Sequence, residues 1–363
     1  MGAPLSTDDL LRARWHATGL PVAGESGPAA PAAATPVAEV QRLGAVQAQD
    51  LEPTLWSVGR RTGSGREEVL AALSSGAVVR THTLRPTWHL VHPTDLTLLQ
   101  SATAPRVRTA MASLYRQEGL DTETLAAAQR TIAAHLERGP ATRAELGAAL
   151  AAAGMRLGGL PLGLVMMWAE LDCLVASGPP DGARQTYALW PNRSLPPRVD
   201  AIRTLVERFL RSHGPATVAD VSGWSSLTRA EVRTAVADLP VERAVVDGVE
   251  WLWLGDLVTA PWGSPQVELL NGYDEAISGL SPAGKRLLDP DRLARPRPGT
   301  PVGVLAVDGR LAGSWRRRTA GTEVTVEVGT LRPLTGGERE ALDRHVELLA
   351  AFLGRPVRTA LTP

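Results

Sequence analysis

The sequence predicts an α+β fold, in which tandem winged-helix (helix-turn-helix) units precede a C-terminal β-barrel-like module. Two observations predict it: a ten-residue pattern that occurs twice in the middle of the chain, and a change to strand-like segments near its end. A length of 363 residues exceeds the usual size of one hydrophobic core, so several domains are expected. The predicted domains are an N-terminal winged-helix-like domain (1–130), a second winged helix (131–195), a third winged helix (196–262) and a β-rich module with a closing helix (263–363).

The first domain begins with a predicted helix at residues 7–18, followed by a Pro/Ala/Gly-rich stretch at 21–36 that is typical of a flexible loop. Apolar residues at helical spacing predict a second helix over 37–47. A further helix is predicted at 67–75. Residues 77–91 are rich in Val, Thr, His and Trp, which favours extended structure.

The repeated pattern covers residues 137–146 and 212–221, and in both copies a helix is predicted to end at Gly-Pro. In each copy a threonine then stands three residues before an acid, Thr142 before Glu145 and Thr217 before Asp220. This spacing predicts a helix N-terminus closed by a capping box. A repeat of this kind indicates one supersecondary unit used twice.

Each copy continues in the order of a winged helix. In the second copy, Asp247-Gly248 between two alternating segments predicts a β-hairpin over 241–254. In the first copy, the hairpin is expected around Pro180-Asp181-Gly182. The predicted helices are 218–224 and 228–239 in the second copy, and 141–153 and 161–171 in the first, whose strands are predicted at 173–177 and 184–190.

The last hundred residues predict a small sheet or barrel packed against a helix. Strand-like segments at 302–307, 310–318 and 323–328 are separated by turn residues, and a helix is predicted at 336–353.

Composition excludes several classes of function. The single cysteine, Cys173, excludes an internal disulfide and a thiolate-rich metal cage. His82, His89 and His92 lack metal-ligand spacing, and the motifs for phosphate or dinucleotide binding are absent from the sequence, so no metal and no cofactor are expected. The sequence shows no secretory signal and no membrane-length apolar run, so a cytoplasmic protein without membrane association is expected.

Four segments carry candidate functional residues, and each also has an ordinary structural interpretation. The first is Gln47-Ala48-Gln49-Asp50, whose glutamines share a face only if the chain turns extended there. The second holds Arg85, Trp88 and His89, which either line a groove or belong to a buried strand. The third is a turn that could aim Asp274 at a cleft or simply cap a helix. The fourth, the most cation-dense segment, is a predicted hairpin tip that could engage phosphates: Trp315, Arg316, Arg317 and Arg318.

In their order and in their amino-acid sequences, these segments resemble the winged-helix DNA glycosylases of the AlkZ/YcaQ type. The resemblance lies in LGAVQAQD, RTHTLRPTWHLV followed by TAPRV, GPATVADVSGWSSLT, ELLNGYDE and VGVLAVDGRLAGSWRRR, and it spans nearly the whole chain. It implies a concave DNA-facing surface and a Gln-x-Gln catalytic motif, here Gln47 and Gln49, which favours the AlkZ branch. The chain departs from the usual family sequence at Leu51-Glu52-Pro53, directly after that motif. It departs again at Asp274-Glu275-Ala276, which lacks a final aromatic residue. These departures bear on substrate range.

The resemblance implies hydrolysis of the glycosidic bond of alkylated purines, N7-substituted and including bulky or cross-linked ones, in double-stranded DNA. Gln47 and Gln49 would position a water, with a side-chain carbonyl as its acceptor, and Asp274 would support them. Arg85, Trp88, His89 and the residues 315–318 would contact DNA. Because the glutamines would place a water, monofunctional hydrolysis is expected. Lys285, the only lysine, is the sole side-chain candidate for a Schiff base.

Two other functions remain open at this point: a non-enzymatic winged-helix regulator, and a protein that sequesters adducts without releasing a base. The sequence also leaves open general repair or self-resistance of a genotoxin producer. A monomer is the simpler expectation.

Overall fold

The computed structural model describes residues 4–20, 35–182, 184–191, 194–290, 303–321 and 323–362. Residues 21–34 of the loop predicted at 21–36 therefore lie outside the described residues. The described parts contain both helices and strands, and the strands pair mostly antiparallel, which confirms the predicted α+β class. Of the helices described, none is long and apolar enough to cross a membrane.

The described residues up to 91 form four helices and a small antiparallel sheet of three strands. The predicted end of the helix at residue 47 is wrong. The helix ends at Leu43, because Gly44 takes a positive φ of 81° that a helix cannot continue through. Val46 and Gln47 then pair with Leu90 and His89 as a strand. The elements are α1 (Thr7–Ala17), α2 (Pro36–Leu43), β1 (Val46–Gln47), α3 (Leu51–Thr62), α4 (Arg66–Ser74), β2 (Val79–Thr83) and β3 (Thr87–Val91).

The first copy of the repeat follows two long helices and has the predicted order of helix, helix and hairpin. Thr142 accepts a hydrogen bond from the backbone of Glu145 and the Glu145 side chain accepts one in return, which confirms the capping box. The hairpin is joined by a short third strand in the order β4-β6-β5. The elements are a 3₁₀ turn (Pro93–Asp95), α5 (Leu96–Gln117), α6 (Thr122–Leu136), β4 (Ala141–Thr142), α7 (Arg143–Ala152), α8 (Gly159–Leu171), β5 (Val175–Asp181) and β6 (Arg184–Leu189).

The second copy repeats this order. Its capping box, Thr217 with Asp220, is confirmed. The predicted hairpin turns at Asp247 and Gly248, both with positive φ, as a tight two-residue hairpin turn requires. The elements are α9 (Arg198–His213), α10 (Val218–Ser225), α11 (Arg229–Ala237), β7 (Glu242–Val246) and β8 (Val249–Trp253).

The C-terminal module is a five-stranded sheet with the linear order β13-β12-β11-β10-β9, packed against a long helix. Among the described residues the two end strands do not pair and the sheet stays open, so the barrel-like expectation is not confirmed. The closing helix has the predicted bounds. The elements are β9 (Val267–Leu270), α12 (Pro282–Leu288), β10 (Gly303–Val307), β11 (Arg310–Ala320), β12 (Glu323–Thr330), α13 (Gly336–Leu353) and β13 (Val357–Thr362).

One hydrophobic core joins the beginning of the chain to its end. Leu55 and Trp56 of α3 are buried in the same cluster as Leu269 of β9 and Phe352 of α13. The Trp56 indole N–H also donates to the Leu269 carbonyl at 2.7 Å. This packing fixes the segment after β9 against the segment that contains Gln47.

Candidate active site

Gln47 lies at the centre of a buried polar cluster. Its side chain is 6% exposed. Its backbone N–H donates to Glu275 Oε1 at 2.8 Å, and its backbone carbonyl accepts from the Thr54 hydroxyl at 2.9 Å. Its side-chain Oε1 accepts from the Arg85 guanidinium at 2.6 Å and from the Ser278 hydroxyl at 3.3 Å. Both backbone and side chain are therefore held from several directions.

Arg85 lies in the turn between β2 and β3, after Leu84 in the left-handed region at φ 59°. Besides Gln47, it donates to the Trp224 carbonyl at 3.2 Å, and its guanidinium lies 3.4 Å from His89 Nε2. Burial, together with the Arg85 charge, lowers the pKa of His89 to about 3, so this imidazole is neutral. Its Nδ1 lies 3.0 Å from the Thr87 carbonyl and donates there, which leaves Nε2 as an acceptor facing Arg85.

Glu275 supplies the negative charge of the cluster and is fully buried. One carboxylate oxygen accepts from the Gln47 backbone, and the other accepts from the Trp224 indole N–H at 2.7 Å. Burial by itself raises the pKa of Glu275, but His213, the Arg85 charge and the Gln47 N–H outweigh it and bring this pKa to about 2. Glu275 is therefore an ionised group that holds Gln47 in place.

Gln49 is exposed, in contrast to Gln47. Its side-chain Oε1 accepts a long hydrogen bond of 3.3 Å from the Trp88 backbone N–H. The Arg80 guanidinium donates to the backbone carbonyls of Ala48 at 3.0 Å and Gln49 at 3.3 Å, and so fixes the backbone beneath the motif. The strand β1 ends at Gln47, and beyond it Ala48 is buried while Gln49 is exposed.

Trp88 belongs to a second buried cluster, which joins β3 to the first repeat copy. The Arg80 guanidinium carbon lies 4.4 Å from the centre of its ring, and the His82 ring centre lies 4.5 Å away. Its indole N–H donates to Glu170 at 3.3 Å, and the fully buried Glu170 also pairs with His82. The side chain is half-buried, so only part of it can contact a partner.

Asp274 is placed differently from its expected position beside the glutamines. It is 1% exposed and forms a two-pronged ion pair with Arg61, at 2.6 and 2.9 Å. It also accepts from the Ala276 backbone N–H at 3.0 Å. Its contacts fix the turn after β9, and it is the next residue, Glu275, that contacts Gln47.

Trp315 lies inside the C-terminal module, which is a correction to its expected place on the DNA-facing surface. It is 7% exposed, and its indole N–H donates to the Leu270 carbonyl at 2.8 Å. Arg316 and Arg318, further along β11, have side chains that are 49% and 60% exposed, and both pair with Glu327 across the hairpin. Alternation along the strand explains the difference, because neighbouring side chains point to opposite faces.

The arginine hairpin β11–β12 lies beside the glutamine motif. Arg317 is 3.6 Å from the Glu52 carboxylate, which also binds Arg66 at 2.6 Å. Glu52 is in the first turn of α3, three residues after Gln49. Two segments more than 250 residues apart in the sequence are thereby brought together.

Sequence reasoning missed several residues of the two clusters, among them Arg80, Glu170, Trp224, Glu275 and Ser278. Glu275 is adjacent to a candidate, yet the sequence gives no indication of which acid in Asp274-Glu275 faces inward. Glu170 follows an apolar helical segment, and a buried acid in such a helix could have been noticed as unusual.

Comparison with known proteins supports the family resemblance described from the sequence. The family described as DNA glycosylase AlkZ-like matches residues 40–352. The chain is 26% identical over 352 residues to the "Interstrand DNA cross-link repair glycosylase" of Streptomyces sahachiroi, an alignment that covers 88% of this chain and 92% of that one. The solved structure of Streptomyces sahachiroi DNA glycosylase AlkZ is similar with a TM-score of 0.77 at 20% identity, over 99% of this chain and 100% of the other. The chain therefore belongs to the AlkZ-like DNA glycosylase family.

Proposed function

We propose that this chain hydrolyses the N-glycosidic bond of N7-alkylated purines in double-stranded DNA, including bulky adducts. The proposal extends to interstrand cross-links because the Streptomyces sahachiroi relative is named for their repair. The observation that carries it is the fixed position of Gln47 within the Gln-x-Gln motif, between Arg85 and Glu275. A site held this firmly suits the placement of one water molecule.

The chemistry of the cluster favours a cationic leaving group. A neutral amide is a poor general base, and the acids nearby are an ionised Glu275 and an ion-paired Asp274, neither suited to protonating a base. A purine alkylated at N7 already carries a positive charge and leaves as a neutral base without protonation. In this proposal Gln47 and Gln49 place the water, and Asp274 supports them by fixing the turn that presents Glu275.

DNA would lie across the face that carries Gln49, as double-stranded DNA bound by a single copy of the protein. We propose that the two helix-helix-hairpin repeats and the N-terminal domain are winged helices that form this face, and that Trp88 borders it. Arg316, Arg317 and Arg318 would contact phosphates, Arg317 on the side of the hairpin that adjoins Glu52 and the motif, and Arg316 and Arg318 on the opposite face of the strand. Arg85 and His89 lie beneath the surface and act through Gln47.

The test uses a duplex carrying one defined N7-alkylguanine, treated with wild type, Gln47→Ala and Gln49→Ala. Abasic sites are detected as alkali-labile strand breaks. Gln117→Glu, an exposed change at the end of α5, serves as a control for handling and folding. The expected result is breaks with wild type and control, and a loss of about 100-fold in rate with Gln47→Ala.

Two outcomes would contradict the proposal. Tight binding of the adducted duplex without base release by wild type would indicate a sequestering protein. Sequence-specific protection of undamaged DNA would indicate a regulator.

A further inference from the structure

The two glutamines both turn their side-chain carbonyls toward fixed donors. The group that faces Gln47 is the guanidinium of Arg85, which has donors and no acceptor, so the amide atom 2.6 Å from it must be the oxygen. The group that faces Gln49 is the backbone N–H of Trp88, so the amide atom there must also be the oxygen. The orientation of both amides follows from their partners.

This orientation reverses the arrangement expected for Gln47 from the sequence, in which its carbonyl would hold the water. That carbonyl already accepts from Arg85 and Ser278. Among the residues that the structure describes, the hydrogen bonds of Gln47 involve only its backbone and this carbonyl, so the side-chain N–H₂ is left to donate. Gln47 is therefore built as a donor.

Gln49 differs in how firmly its carbonyl is held. With the residues that the structure describes, its side chain makes one hydrogen bond, which is 3.3 Å long, and the residue is exposed. A bond of that length to a neutral donor is weak and is easily exchanged for one to water. Its backbone stays in place because Arg80 holds the carbonyls on either side of the peptide.

We propose that Gln47 donates a hydrogen bond to the oxygen of the attacking water, that Gln49 accepts one from its hydrogen, and that Arg85 is the positioning residue that enforces this division. The inference rests on the proposed function and assigns each amide its role. One lone pair of the water then accepts a hydrogen bond from Gln47, and one of its hydrogens is donated to Gln49. Its second lone pair faces C1′.

In the reaction, the bond between C1′ and N9 breaks and its electron pair neutralises the charge of the alkylated purine. The water lone pair forms the new bond to C1′, and the proton leaves through the hydrogen bond to Gln49 into solvent. The products are a neutral purine, an abasic sugar and one proton. No group of the protein changes its own protonation state at the end of the cycle.

Glutamate substitutions separate the two roles, because a carboxylate can accept and cannot donate. In Gln47→Glu, the carboxylate still accepts from Arg85 but loses the donor. In Gln49→Glu, the acceptor for water is kept. Single-turnover rates on the N7-alkylguanine duplex should fall about 100-fold for Gln47→Glu. For Gln49→Glu the rate should fall by no more than about tenfold. Gln117→Glu is the matched control for the added charge and keeps the wild-type rate.

Each alternative result overturns part of the proposal. Excision by Gln47→Glu at a rate above that of Gln49→Glu would show that Gln47 acts as the acceptor. An equal loss in both variants would remove the acceptor role of Gln49. Wild-type protein that excises nothing would defeat the proposed function itself, which is a different result.

Arg85 provides a second test if the carboxylate at position 47 prevents folding, as judged by thermal unfolding. Arg85→Lys keeps a donor toward the Gln47 carbonyl, and Arg85→Met removes it and frees the amide to rotate. Arg85→Met is expected to lower kcat by at least tenfold relative to Arg85→Lys, with KM for the duplex unchanged between the two. A loss confined to KM, or equal kcat values, would mean that Arg85 does not orient Gln47.

Discussion

The cluster around Gln47 and the hairpin β11–β12 are both rich in polar groups, yet they are built in opposite ways. Around Gln47, a buried carboxylate accepts from the backbone N–H and a guanidinium donates to the side-chain carbonyl, both through short hydrogen bonds. On the hairpin, Arg316 and Arg318 share a single partner, Glu327, at the surface. The first arrangement fixes geometry, and the second leaves positive charge available.

The difference follows from the cost of burial. A buried donor or acceptor without a partner costs free energy, so the cluster can exist only if nearly all its groups are satisfied and therefore immobile. Surface ion pairs are screened by water and contribute little to stability, so they exchange partners readily. Placing water needs the first property, and tracking phosphates needs the second.

The largest expected effect comes from removing the buried charge. Glu275→Ala leaves the Gln47 N–H and the Trp224 indole N–H without their acceptor and removes the negative charge near Arg85, so it should lower the free energy of unfolding by about 3 to 5 kcal/mol. Base excision should be abolished as well. Urea unfolding and single-turnover rates measure the two effects.

Glu327→Gln is the matched change on the hairpin, since it also removes a carboxylate shared by several donors. We expect no measurable change in its unfolding midpoint. Similar decreases in stability in the two variants would mean that the buried and exposed regions do not differ as described.

The secondary structure of both repeats could be predicted because its determinants are local. The capping threonines and Asp247-Gly248 act within a few residues, and the structure confirms each of them. The bounds of the closing helix were predicted for the same reason. The domain boundaries, in contrast, stay a prediction, and the core shared by Leu55 and Phe352 joins the first and last regions.

The site could be predicted only in part, because its contacts join distant segments. Gln47, Arg85 and His89 were expected to matter, and the structure brings them together. The orientation of Gln47 could not be predicted, since it depends on which atoms of Arg85 and Glu275 reach it. Trp315 was misplaced because the sequence did not show which face of β11 packs inward.

The next largest effect concerns the exposed arginines. Replacing both Arg316 and Arg318 with glutamine should weaken binding to the adducted duplex and lower the salt dependence of affinity, by about 0.9 log unit per log unit of salt for each phosphate that is no longer neutralised. Affinity measured over a series of salt concentrations checks this. Arg332→Gln, an exposed change beyond the other end of β12, is the control, and an equal change in its salt slope would refute the role of the hairpin.

A smaller effect is expected on stability at mildly acid pH. Burial lowers the pKa of His89 to about 3 and that of His213 to about 4, below the ordinary value of about 6.5 in the unfolded chain. Between about pH 3 and pH 6.5 the unfolded state binds more protons than the folded state. The free energy of unfolding is therefore highest above about pH 6.5 and falls as the pH decreases. Thermal unfolding at a series of pH values measures this. A midpoint that does not fall as the pH drops below 6 would mean that these imidazoles are protonated in the folded protein.

The smallest expected effect is that of pH on the rate of excision. Glu275, with a pKa of about 2, stays ionised and His89, with a pKa of about 3, stays neutral across the neutral range, while the two glutamines do not titrate. After subtraction of the spontaneous loss of the adduct, the single-turnover rate should be nearly constant from about pH 6.5 to 8.5. A rate that changes tenfold per pH unit in this range would reveal a titrating acid or base. Catalysis would then depend on a general acid or base and not on the neutral amides held by the buried cluster.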